Sequence, residues 1–260
     1  MKIQTVRIIV PNVFTSMNVL LGFCAVALCL NVDALSQSTE RYFILAGWLI
    51  IAAGIIDGLD GKIARLMQCA SSFGIQYDSM ADIVAFGFAP SVLLYSRFFI
   101  DLPLGFIAFP ILYLLCGAIR LARFNVTTDG KKKTCFYGLP IPSAAGIVVA
   151  YVFFIDFCKK YGLLYESSSL ILIGAIAIIV MTSTLMVTTI EFDVMFKFLF
   201  KGFSTFTRVL IVIAIVTGLW FYPGPTLALI GIIYVSKALI RWIWVAITGK
   251  EEIEEEASEY

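Results

Sequence analysis

Histidine is absent from this chain of 260 residues, and that gap alone removes several chemistries. No Ser-His-Asp or Cys-His nucleophile can be assembled, no zinc can be held by imidazole, and no phosphohistidine can form. A general base must come from Asp, Glu, Lys, Tyr or Cys. Charge is scarce too: Asp, Glu, Lys and Arg make up 14% of the chain, where a soluble domain carries about 25%. CxxC spacing is missing. Cys24, Cys29, Cys69, Cys116, Cys135 and Cys158 stand mostly inside apolar runs, the pattern of small buried hydrophobes rather than of a disulfide framework or metal cluster. A net charge of +1 provides no bulk attraction to nucleic acid, so no nucleic-acid partner is expected.

What the chain has instead is apolar length. It is 60% hydrophobic with a mean hydropathy of +0.96, so most of it must face lipid or lie among other helices. Eight runs approach the roughly 20 residues that cross a bilayer: 12–31, 42–59, 77–99, 103–123, 139–157, 168–189, 206–222 and 225–247. The runs are continuous rather than alternating, which predicts an all-α, polytopic helical bundle and not a β-barrel. No cleavable signal pattern precedes the first run, and residues 1–250 read as a single transmembrane catalytic domain.

Lys and Arg orient the bundle. With the N-terminus inside, the inner side collects Lys2, Arg7, Lys62, Arg65, Arg120, Arg123, Lys131 to Lys133, Lys197, Lys201, Arg208, Arg241 and Lys250. The outer side keeps only Arg41, Arg97, Lys159 and Lys160. Both termini and the connections 58–76 and 124–138 are therefore expected at the cytoplasmic face, with an acidic, disordered cytoplasmic tail over 251–260. In a bacterium the membrane would be the inner one.

Against this apolar background four aspartates stand out. Asp57 and Asp60 are three residues apart and Asp78 and Asp82 four apart, so each pair shares one face of a helix. The first pair is expected to end the second span and the second pair to start the third, with the two helices antiparallel neighbours. Four converging carboxylates repel one another and left alone some would stay protonated; hard divalent cations relieve this, and oxygen ligands suit magnesium, manganese or calcium. Two such cations can clamp a diphosphate and neutralise a departing phosphate. Arg65 can grip phosphate, and Gly61 leaves the backbone open to a nucleotide. The plainer reading, acids that merely solvate a helix end beside Lys62 and Arg65, explains the register poorly.

The stretch from Asp57 to Asp82 follows the pattern D-x2-D-G-x2-A-R-x8-G-x3-D-x3-D without deviation. It resembles the CDP-alcohol phosphatidyltransferases. The resemblance implies a dimeric membrane protein with a six-helix core. Its site lies at the cytoplasmic side, where an alcohol attacks the phosphate of a CDP-linked lipid and CMP leaves. Carried over by position, Asp57, Asp60, Asp78 and Asp82 hold two cations and Asp82 is also the general base. Gly61, Arg65 and Ser71 contact the donor, as do Asn12 and Thr15 at the start of the first span.

Three further stretches bear on the acceptor: Pro11 to Phe23, Arg120-Leu-Ala-Arg123-Phe-Asn125, and Tyr137 to Gly146. With the aspartates they are similar to the branch of the family that joins CDP-diacylglycerol to L-serine. Arg120 and Arg123, three apart at a helix end, suit the serine carboxylate, or else simple positive-inside anchoring. Glycerol phosphate or inositol phosphate acceptors, and a divalent-cation transporter using the same acids, are the alternatives. Without histidine, direct displacement with no covalent enzyme intermediate is the mechanism expected.

Overall fold

The computed structural model describes residues 2–31, 39–67, 72–127, 135–163, 169–193 and 204–248. Eight helical rods run through them. They are α1 (Lys2–Leu30), α2 (Thr39–Met67), the composite α3 (Ser72–Asp82 continuing to Phe99), α4 (Ala108–Thr127, entered through a short 3-10 turn), α5 (Ile141–Lys160), α6 (Ser169–Val187), α7 (Thr205–Phe221) and α8 (Pro223–Thr248). Seven contain stretches long and apolar enough to cross a membrane; the expected run 206–222 is present as the shorter apolar helix Phe206–Phe221. The chain is thus a polytopic, all-α membrane protein.

Helix α5 is the axis of the bundle. Ala144, Ala145, Val148, Val149, Val152 and Phe153 are all buried along it, and it packs against α2, α6 and α8. Its entry is set by two prolines, with Pro140 as N-cap and Pro142 inside the first turn, where a missing N–H costs nothing. The periphery is the reverse: on α7, Phe206, Val209, Val216 and Trp220 are exposed, the surface expected of a lipid-facing helix. Cys24, Cys29, Cys116 and Cys158 are all free thiols, as their apolar settings predict.

Three features depart from the expected outline. Helix α2 does not stop at its aspartates but runs on to Met67, so most of the first expected loop, 58–76, is helical. Residues 60–66, which include Asp60, Lys62 and Arg65, continue the helix beyond the apolar stretch, which ends at Leu59. A two-stranded antiparallel ribbon accompanies the helices: β1 (Cys135–Tyr137) pairs with β2 (Glu191–Asp193), Phe136 opposite Phe192. Finally, α3 changes pitch immediately after Asp82, with π-helical turns at Ile83–Phe88 and Tyr95–Phe99. Such widened turns cluster at functional sites.

The helix ends opposite the aspartates carry their own ion network. Glu40 on α2 accepts from Arg97 of α3 at 3.0 Å and from Lys159 of α5 at 3.3 Å. Arg97 also lies over the Phe43 ring at 5.3 Å. These residues fasten three helices at the end remote from the site.

Candidate metal centre and substrate site

Helix α2 brings Asp57, and α3 brings Asp78 and Asp82, to one point between them. One carboxylate oxygen from each lies within 4.8 Å of the others, and all three residues are half-buried. Oxygens bound to one hard cation at 2.0–2.6 Å stand about 3 to 5 Å apart, so the cluster matches a cation's coordination shell. Asp82 sharpens the fit: it meets Asp57 side chain to side chain, while its Oδ1 is buried and accepts no hydrogen bond. A buried carboxylate oxygen left in that state is costly unless a ligand completes it. The donor set is oxygen only, which suits magnesium, manganese or calcium.

Of the other residues singled out by sequence, several fall around this point. Thr15 on α1 is buried, at 3% exposure. Asn12 sits one turn before it, and its carbonyl accepts the Ser16 hydroxyl at 2.7 Å. The backbone of Asp60, Gly61 and Arg65 forms the last turns of α2. The side chains of Asp60 and Arg65 lie outside the described residues, as does Ser71 altogether.

The two arginines of α4 separate in role. Arg120 is 6% exposed, with its guanidinium over the Phe124 ring at 5.6 Å. Its charge acts on Asp82 and lies within reach of Tyr234, a buried residue of α8. Arg123 instead donates to three backbone carbonyls: Val187 at 2.8 Å, Thr188 at 3.0 Å and Tyr137 at 3.1 Å. It ties the end of α6 to the residue after which the chain must turn. That turn is Gly138, at φ 80°, where an added Cβ would collide with the Met186 carbonyl. Only glycine fits there. Arg123 thus has a holding role that its spacing from Arg120 did not announce.

Sequence reasoning gave no role to some residues. Ser79 and Asn125 join α3 to α4 at 2.9 Å, directly beside Asp78. Asn18 is fully buried on α1, and neither atom of its amide makes a hydrogen bond. An amide in the middle of an apolar span, three residues from Thr15 and four from Gly22, was the available signal.

Fold and site together define a multispan membrane protein with a three-carboxylate cluster held between two of its helices. The CDP-alcohol phosphatidyltransferase family matches over residues 8–220, and the chain belongs to that family. It is 36% identical over 239 residues to a Helicobacter pylori CDP-diacylglycerol–serine O-phosphatidyltransferase, covering 91% of this chain and 92% of that one. An enzyme of the same name from Methanocaldococcus jannaschii is 43% identical over 103 residues, 40% of this chain and 48% of its own. The Saccharomyces cerevisiae enzyme of that name is 32% identical over 162 residues, 59% and 55% of the respective chains. The family match ends before α8, whereas the H. pylori similarity spans nearly the whole sequence.

Proposed function

We propose that the chain transfers the phosphatidyl group of CDP-diacylglycerol to the hydroxyl of L-serine, giving phosphatidylserine and CMP. The observation that carries the reading is the convergence of Asp57, Asp78 and Asp82, with the buried Oδ1 of Asp82 left without a hydrogen bond. The family assignment supports the reaction type, and similarity to serine-specific relatives over nine-tenths of the chain supports the acceptor. Neither favours cation transport.

Asp57, Asp60, Asp78 and Asp82 hold the divalent cations, two ions of magnesium or manganese. When bound, the cations neutralise the diphosphate and stabilise CMP as it leaves. Asp82 accepts the serine hydroxyl proton as the oxygen forms its bond to the lipid-bearing phosphorus and the bond from that phosphorus to CMP breaks. A positioned carboxylate base contributes about 10²- to 10⁴-fold. Asn12, Thr15, Gly61, Arg65 and Ser71 bind the donor. Arg120, buried beside Asp82, receives the serine carboxylate; Arg123, already committed to three carbonyls, serves by holding the ribbon in place.

The reading extends to the setting. The site faces the cytoplasm, both termini are cytoplasmic, and residues 1–250 act as one catalytic domain, in a homodimer and, in a bacterium, in the inner membrane. The Glu40, Arg97 and Lys159 network then lies at the opposite membrane face.

The test is an acceptor panel. Purified protein in vesicles with CDP-diacylglycerol and manganese is supplied separately with L-serine, glycerol 3-phosphate and inositol phosphate. CMP release with serine and formation of phosphatidylserine are expected. Release with a polyol phosphate and none with serine would overturn the acceptor.

A further inference from the structure

Asn18 lies on the buried stripe of α1 formed by Thr15, Asn18, Gly22, Ala25 and Cys29, spaced alternately three and four residues apart. Two contacts fix how that stripe meets α3. The Ser16 hydroxyl is 2.8 Å from that of Tyr77. Further along, Gly22 approaches so closely that an added Cβ would stand 2.8 Å from Ala85 Cα and 3.2 Å from the Val84 carbonyl oxygen. The helices therefore run side by side in the same direction. Asn18, between the two contacts, is level with the turn from Asp78 to Asp82.

At that level the amide is fully buried, and neither Oδ1 nor Nδ2 has a hydrogen-bond partner. A carboxamide enclosed among apolar helices without partners is among the costlier arrangements a fold can hold. Leu, close to Asn in size, would bury apolar atoms there and avoid the cost. The retained amide implies a ligand that supplies the missing bonds. Beside a carboxylate cluster suited to cations, that ligand carries anionic oxygens, and an amide N–H₂ is a donor matched to them.

We infer that Asn18 is a donor-binding residue, its side-chain amide donating to a phosphoryl oxygen of the diphosphate held at the aspartate cluster. The inference rests on the proposed function and names one more contact of that site. It also gives α1 a third polar position, one turn deeper in the membrane than Thr15. The close approach at Gly22 holds that position against α3, alongside the aspartates.

Two readouts test it, on Asn18→Leu and Asn18→Ala against the wild type. The first is the melting temperature of detergent-solubilised protein with manganese, with and without CDP. CDP should raise it for the wild type and have little effect on either variant. Without CDP, Asn18→Leu should melt at or above the wild-type temperature, since a buried unsatisfied amide has been removed. The second is turnover: kcat/KM for CDP-diacylglycerol should fall by about 10- to 100-fold in either variant, the loss expected for one hydrogen bond to a charged group. A folded variant with the wild-type CDP shift and wild-type kcat/KM would overturn the inference. Should Asn18→Leu fail to fold, Asn18→Ala decides by the same readouts. A wild type that shifts with CDP but releases no CMP with any alcohol would overturn the proposed function while leaving the Asn18 contact standing. A wild type with neither response would overturn both.

Discussion

Asp82 of α3 touches Asp57 of α2 side chain to side chain, and the rest of the candidate site is arranged around that contact. Two acids from different helices that approach this closely share a proton when the site is empty and are natural ligands for a divalent cation that replaces it. Chelation should therefore abolish turnover, and manganese or magnesium should restore it. Asp57→Asn and Asp78→Asn should each raise the cation concentration for half-maximal activity by at least about tenfold. The check is a cation titration of CMP release. An unchanged midpoint in both variants would remove those residues from the metal site.

Gly22 sets how close α1 comes to α3. Gly22→Ala places a methyl group 2.8 Å from Ala85 Cα, a backbone atom that cannot swing aside. Forcing the helices apart should cost about 1–3 kcal/mol of stability. It should also raise the KM for CDP-diacylglycerol, because Asn12 and Thr15 ride on the displaced helix. Thermal unfolding and donor kinetics measure the two effects.

Arg123 and Gly138 form a single brace. Arg123→Ala leaves three carbonyls without their donor and should cost about 1–3 kcal/mol. Gly138→Ala should be at least as damaging, since φ is 80° and the new methyl meets the Met186 carbonyl. Arg120→Lys should behave otherwise. It keeps the charge but loses the planar fork for a carboxylate, so the serine KM should rise about tenfold or more with little change in melting temperature. Comparing melting temperature with serine KM separates brace from binding residue.

Arg97 offers a control at the far end of the bundle. Arg97→Ala removes a mostly buried side chain that pairs with Glu40 and lies over Phe43, and should cost about 1–3 kcal/mol. Donor and serine KM should stay at wild-type values. A large loss of activity would mean that the two ends of the bundle are coupled.

The spans were legible because bilayer length and apolar composition constrain a sequence heavily, and each expected run has its helix in the fold. Helix ends were less legible. Residues 60–66 look like a loop by hydropathy, yet backbone hydrogen bonds carry α2 through them to Met67. The ribbon was invisible, since it pairs Phe136 with Phe192 across α5 and α6 and each strand is only three residues long. In the site, the spacing of Asp57, Asp78 and Asp82 was enough to predict their convergence. Arg123 was not legible as a brace, because its partners are backbone carbonyls, which carry no sequence signature. Asn18 was visible as a polar residue in an apolar run, but only the contacts on either side of it place it beside the aspartates.

The most direct measurement is CMP release from CDP-diacylglycerol and L-serine by Asp82→Asn, made alongside CDP binding by the same protein in saturating manganese. Asn is nearly isosteric and can still offer an oxygen to a cation, but it is far too weak a base to take the hydroxyl proton. The account predicts donor binding close to wild type and turnover reduced by about 10²-fold or more. Near-normal turnover in Asp82→Asn would contradict it.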